Sequence, residues 1–293
     1  MKKLLLAITL VASGLSSYAQ SCCEQADAAC HDTKKEAMRP DEMQLMASTK
    51  EFQAMHAEPR PFTFTSKAGG EMIKMDAPDG QAASGFLIKA KNPSNKYLLV
   101  YQEWWGLNDY IKQEAEKFYN ELEGQVNVLA LDMYDGKVAT AREDAGKYMS
   151  QAKPERLEAI MKAGINYGGA KAKFASIGWC FGGMLSLKSA MLEGSKAVGC
   201  VMYYGRPEQD IDKLKTLKTD VIGFFGSKDK GIPPTLVEQF EKNMKMAGKQ
   251  IDINMYDADH AFANPSNPIY DEKATKDAFE KASDYLKKKL LSE

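Results

Sequence analysis

Residues Gly178-Trp179-Cys180-Phe181-Gly182-Gly183 directly follow the apolar run Lys173-Phe174-Ala175-Ser176-Ile177, and a cysteine in that setting can serve as a nucleophile. In a G-x-S-x-G turn the nucleophile stands at a sharp strand-to-helix corner. Its strained backbone needs small residues on either side, and Gly178 and Gly182 supply them. Here Cys180 takes the place of serine. The stretch from Met184 to Leu192 has a helical character, so the first amides of that helix face the sulfur and favour a thiolate.

A cysteine nucleophile needs a base for its proton and a third group to orient that base. The chain has three histidines. His31 and His56 fall in a polar N-terminal stretch, whereas His260 follows the last predicted strand, beyond Tyr256-Asp257-Ala258-Asp259. That places it on a loop past a carboxyl strand end, the edge at which open α/β sheets bind and react. Asp229 is the candidate orienter, because Ile222-Gly223-Phe224-Phe225-Gly226 reads as a strand running into its loop. Asp257 and Asp259 are nearer to His260 in sequence but need a tight bend to face the imidazole. The order Cys180, Asp229, His260 is that of α/β-hydrolases. The loop Gln102-Glu103-Trp104-Trp105-Gly106-Leu107-Asn108 is placed to give one oxyanion amide, from Trp104, with Phe181 giving the other. Glu103 beside a thiol raises the thiol pKa unless it has a partner.

Elements to hold these residues follow from the patterning. Phe62-Thr63-Phe64-Thr65, residues 72–75 and residues 85–90 alternate in polarity and are expected to open the fold as antiparallel strands. After them, strands predicted over 97–102, 126–132, 174–179, 197–204, 221–225 and 251–256 alternate with helical stretches over 109–122, 139–167 (interrupted near Pro154), 235–246 and 272–291. That alternation predicts an α/β fold, a mostly parallel sheet with helices on both faces.

With 39 Lys and Arg against 40 Asp and Glu, spread along the chain, no basic stripe marks a nucleic-acid partner. A small molecule is the expected one. Met1-Lys2-Lys3, the short apolar run over residues 4–12 and Ser17-Tyr18-Ala19 read as a secretory signal peptide over residues 1–20, too short to span a bilayer. Residues 21–60 are expected to form a polar extension dispensable to the body, and residues 61–293 the catalytic domain. Cys22, Cys23 and Cys30 crowd the extension. Their spacing, with His31, does not repeat a zinc pattern. Ala19-Gln20-Ser21 matches poorly to the residues that precede a lipidated cysteine, so a soluble exported protein is expected rather than one anchored at Cys22.

Together, Gln102–Asn108, Asp132-Met133-Tyr134, Gly178–Gly183, Tyr203-Tyr204-Gly205, Gly226-Ser227-Lys228-Asp229 with Pro233, and His260-Ala261-Phe262-Ala263-Asn264 resemble the dienelactone hydrolase family over about residues 61 to 291. The resemblance implies the α/β-hydrolase fold, Cys180 as nucleophile, His260 as base and Asp229 as its orienter. It further implies that Glu103 contacts the resting thiol and is displaced when substrate binds. Members acting on dienelactone hold its carboxylate through two arginines, whereas the matching regions here read Asp135-Gly136-Lys137 and Asn264-Pro265-Ser266. Lys137 lacks the bidentate fork. The reading is an exported carboxylic-ester or lactone hydrolase with no cofactor and no metal. Thiol-dependent acyl transfer, peptide cleavage and non-catalytic ligand binding in the same pocket are its competitors.

Overall fold

The computed structural model describes Leu45, Ala47 and residues 49–292, and these belong to a single unit, Pro40–Glu293. The signal peptide, Cys22, Cys23, Cys30 and His31 lie outside the described residues. Strands β1 (Glu71–Met75), β2 (Ala83–Ile88), β3 (Lys96–Tyr101), β4 (Asn127–Leu131), β5 (Lys173–Trp179), β6 (Ala197–Tyr203), β7 (Val221–Gly226) and β8 (Ile251–Tyr256) form one sheet in the order β1-β2-β4-β3-β5-β6-β7-β8. β1–β2 and β2–β4 pair antiparallel, and every later pairing is parallel. The central strands are near-continuous apolar runs because helices cover both faces; all five residues of β4 and all six of β7 are buried.

The helices are α1 (Lys50–Ala54), α2 (Asp109–Glu121), α3 (Arg142–Gln151), α4 (Pro154–Tyr167), α5 (Phe181–Glu193), α6 (Ile211–Lys215), α7 (Pro234–Met246) and α8 (Glu272–Leu290). Asn108 caps α2 by accepting the Ile111 amide, and Pro154 starts α4 where its missing N–H costs nothing. Pro154 therefore divides the predicted 139–167 helix in two. α5, which leaves the candidate nucleophile, is apolar nearly all round because it lies against β3, β5 and β6.

Two expectations are corrected. Residues 62–65 are not a strand. Phe62 stacks on Tyr110, and the Phe64 amide donates to Asp109 Oδ2 at 2.9 Å, so this segment is irregular chain laid on the start of α2. The boundary at residue 60 also fails. Ala47 and Phe52 belong to the main hydrophobic core, and His56 is buried beside them. The side chains of α1 thus hold the segment, since five helical residues have little stability of their own.

Candidate active site

Parallel registry aligns the carboxyl ends of β3, β5, β6, β7 and β8, with Tyr101 opposite Gly178, Trp179 opposite Tyr203, Tyr203 opposite Phe224 and Gly226 opposite Tyr256. Every candidate residue leaves the sheet at this edge. Cys180 has φ 54° and ψ −118°, a backbone that side chains rarely adopt, held by its own N–H on Tyr203 O (3.0 Å) and the Gly183 N–H on its carbonyl (3.0 Å). A Cβ at Gly178 would meet the Gly182 carbonyl at 2.1 Å, and one at Gly182 the Tyr101 carbonyl at 2.2 Å. The small neighbours expected from sequence are steric necessities.

His260 Nε2 stands 3.3 Å from Cys180 Sγ, and His260 Nδ1 stands 2.6 Å from Asp229 Oδ2. The Gly231 and Ile232 amides both donate to Asp229 Oδ1 at 2.8 Å, which fixes the carboxylate and leaves its other oxygen for the imidazole. Asp229, rather than Asp257 or Asp259, is the acid that meets the imidazole. Burial pushes the Asp229 carboxyl up, but His260 and the two amides outweigh it and hold it below the usual range. Burial pushes the His260 imidazole down, and Asp229 and Cys180 more than reverse this. For Cys180, burial dominates; His260 and the Phe181 amide oppose it, and the thiol stays above its ordinary value. Cys180 is 0% and His260 1% exposed, so neither stands at a solvent-facing rim.

The Phe181 amide faces the Cys180 sulfur, and the Trp104 amide takes no backbone carbonyl in the turns and loops among the described residues; these are the two amides expected to hold an oxyanion. Glu103 is buried, but its carboxylate accepts from the Tyr204 hydroxyl (3.3 Å) and from Asn264 Nδ2. Burial raises it to about 7, against the pull of His260, Tyr204 and Asn264. The expected contact between Glu103 and the thiol is therefore not the one found. Glu103 acts on Cys180 through its charge, which raises the thiol pKa, while two imidazoles take the hydrogen-bonding positions around the sulfur.

The second imidazole is His56. Its Nε2 lies 3.7 Å from Cys180 Sγ and its Nδ1 2.8 Å from the Phe52 carbonyl. The carbonyl can only accept, so Nδ1 carries the proton and Nε2 turns a lone pair to the sulfur. Burial, and then the charge of His260, lower His56 to about 3, so it is neutral. Its ring centroid is 5.1 Å from that of His260 and 4.5 Å from that of Trp104, with Phe52 packed behind. Sequence reasoning missed this residue. The available signal was the i, i+4 spacing of Phe52 and His56 on a short helical turn, too brief to weigh against the polar surroundings. Tyr204 and Asn264 also went unassigned, though both stand in segments that carried the resemblance.

The sheet order and the Cys-His-Asp line define an α/β-hydrolase fold with a cysteine at the elbow. The sequence pattern of the dienelactone hydrolase family matches residues 83–290, and the chain belongs to that family. It is 26% identical over 236 residues to Protein usf of Aquifex pyrophilus, a match covering 75% of this chain and 99% of the relative. It is 27% identical over 232 residues to carboxymethylenebutenolidase of Pseudomonas sp. (strain P51), covering 74% and 95%. Among solved structures, a dienelactone hydrolase-like promiscuous phosphotriesterase from metagenomic libraries aligns with TM-score 0.62 at 20% identity, over 75% of this chain and 98% of that one. The Pyrococcus furiosus esterase Pf2001 aligns with TM-score 0.59 at 14% identity, over 80% and 100%. The family match begins at residue 83, so the segment carrying His56 lies ahead of it.

Proposed function

We propose that this chain is an exported hydrolase that cleaves a carboxylic ester or lactone through a thioester on Cys180. The observation that carries the reading is the line Sγ, Nε2, Nδ1, Oδ2, with Sγ–Nε2 3.3 Å and Nδ1–Oδ2 2.6 Å, at a strained elbow. His260 takes the thiol proton as the sulfur attacks the carbonyl carbon. The carbonyl π electrons move to oxygen, which the Trp104 and Phe181 amides hold. Collapse of the tetrahedral intermediate expels the alkoxide, and His260 returns the proton to it. Water, deprotonated by the same imidazole, then attacks the thioester and frees the acid and the thiol. Asp229 fixes the tautomer with Nδ1–H and stabilises the imidazolium.

Export rests on the signal-peptide pattern of residues 1–20, and release of a soluble chain on the poor lipidation context of Cys22. Among the described residues no helix is long and apolar enough to cross a membrane. The relative named carboxymethylenebutenolidase supports a lactone among the substrates, while the missing arginines argue for an acyl group other than that of dienelactone. A panel of p-nitrophenyl esters and small lactones, run with wild type and Cys180→Ala, tests the chemistry. Turnover that disappears in the mutant supports hydrolysis, and none in either protein overturns it. Fractionation of expressing cells with N-terminal sequencing of the mature chain tests export, and a retained Met1 would refute it.

A further inference from the structure

Cys180 Sγ, His260 Nε2 and His56 Nε2 all lie within 4.8 Å of one another, and all three residues are buried. A tetrahedral zinc ion with Zn–S about 2.3 Å and Zn–N about 2.05 Å separates its sulfur and nitrogen ligands by about 3.6 Å. The two sulfur–nitrogen distances here, 3.3 and 3.7 Å, bracket that value, and the two nitrogens, up to 4.8 Å apart, must close to roughly 3.3 Å as the ion binds. Each imidazole also has the support that metal-bound histidines have. Nδ1 of His260 is held by the Asp229 carboxylate and Nδ1 of His56 by the Phe52 carbonyl, so both Nε2 lone pairs point inward. Hydrolysis by the triad needs His260 but has no use for a second neutral imidazole aimed at its nucleophile.

We propose that Cys180, His260 and His56 form a binding site for one borderline-soft divalent ion of the zinc type, which occupies the thiolate and reversibly blocks hydrolysis. The donor set of one thiolate and two imidazoles suits zinc and disfavours magnesium and calcium, which take oxygen ligands. Binding breaks the S–H bond, forms one metal–sulfur and two metal–nitrogen bonds, and releases one proton to solvent. The thiolate and Asp229 carboxylate together balance the ion's two charges. Arg142 lies close enough to disfavour a charge on His56, and so acts against the ion. A bound ion bridges the α1 segment to the elbow and the β8 loop. The segment then cannot leave, and the sulfur has no electron pair free for attack.

The test uses the full chain with Cys22, Cys23 and Cys30 changed to Ser, which removes the competing thiols. Zinc is titrated against a chromophoric chelator, and Co2+ is used to report geometry and thiolate coordination by its absorption. One ion per chain is expected, with a thiolate-to-cobalt charge-transfer band that Cys180→Ala abolishes. His56→Phe keeps an apolar ring in the packed position without a ligand atom, and His56→Gln keeps a polar group that is a poor zinc ligand. Affinity should fall at least about 10-fold in each, the scale seen even for loss of a supporting group around a metal. Undiminished affinity in either folded variant, or no stoichiometric binding in the parent, overturns the site. Zinc should also inhibit ester turnover, with a chelator restoring it. Stoichiometric, His56-dependent binding in a chain without esterase activity upholds the metal site and counts against the hydrolase reading instead.

Discussion

Phe52→Ala should unmask the thiol. Phe52 is 1% exposed and packs its ring against His56 (4.5 Å between centroids), Trp104 (5.3 Å, edge-on) and His260 (6.1 Å). His56, carried on the same turn, covers the sulfur. Truncating a buried phenylalanine costs about 2–3 kcal/mol where the segment can move aside instead of leaving a cavity. At about 1.4 kcal/mol per decade, the docked state becomes about 30-fold to 150-fold less favoured. The rate at which iodoacetamide alkylates Cys180 at neutral pH should rise by up to that factor. Its ceiling is set by a chain truncated to begin at Ala57. His56 is neutral near pH 7, so its departure changes access to the sulfur more than the charge around it. Alkylation must be read by peptide mapping, because Cys22, Cys23, Cys30 and Cys200 would obscure a bulk thiol count. Equal rates in wild type, Phe52→Ala and the truncated chain would refute the argument that this segment is what buries the nucleophile. Truncation within residues 20–56 is thus expected to alter the site, contrary to the reading of that stretch as dispensable.

His260→Ala should abolish ester turnover, and Asp229→Asn should lower kcat by about 10²-fold to 10⁴-fold through the wrong imidazole tautomer; near-wild-type rates in either would remove the triad. Glu103→Gln should speed alkylation of Cys180, and the gap from wild type should widen as pH rises through about 7, because only the ionised carboxylate opposes the thiolate. His260, Tyr204 and Asn264 face Glu103, and Glu114 adds a further negative charge; a gap that stays constant from pH 6 to 8 would show that Glu103 acts by packing. Glu193, buried at the C-terminal end of α5 with the Ser189 hydroxyl donating to it, is raised by burial from 4.5 to about 8. Between those values the folded chain keeps a proton that the unfolded chain has lost, so the stability it contributes falls as pH rises, by at most about 5 kcal/mol. Glu193→Gln should flatten that part of the pH profile of urea unfolding, and an unchanged slope would contradict the assignment.

The parallel half of the fold was legible because burial on both faces leaves an unmistakable apolar run at β3, β4, β5, β6 and β7, each closed by glycine or a polar loop. Cys180, Asp229 and His260 were legible because the elbow needs glycines and because loops at carboxyl strand ends converge whatever their distance in sequence. Short elements were not. α6 has five residues and one buried side chain, Leu214, so no period could identify it. The Phe62–Thr65 alternation suggested a strand, but the Phe64 amide found a partner on Asp109 instead of a neighbouring strand. Glu103 was recognised as anomalous from its charge alone, yet its partners come from the loops after β6 and β8, more than 100 residues away. Side-chain pairing at that separation leaves no local trace.

The difference between the expected and the observed thiol environments has one physical origin. A sequence shows which groups can reach a strand end, but not what closes the site above it. With the elbow open to water, the helix amides and His260 would suffice to favour a thiolate. Under α1 the sulfur is buried, and burial raises its pKa against the pull of His260. The segment carrying Phe52 and His56 covers the sulfur, and it is expected to govern access to Cys180. It does so with few contacts. Phe52 and His56 supply the anchoring, and the five-residue α1 adds little stability of its own. Such an attachment can be released by a modest change in binding free energy, which a substrate entering the pocket or a metal ion bridging His56 to the thiolate would shift in opposite directions.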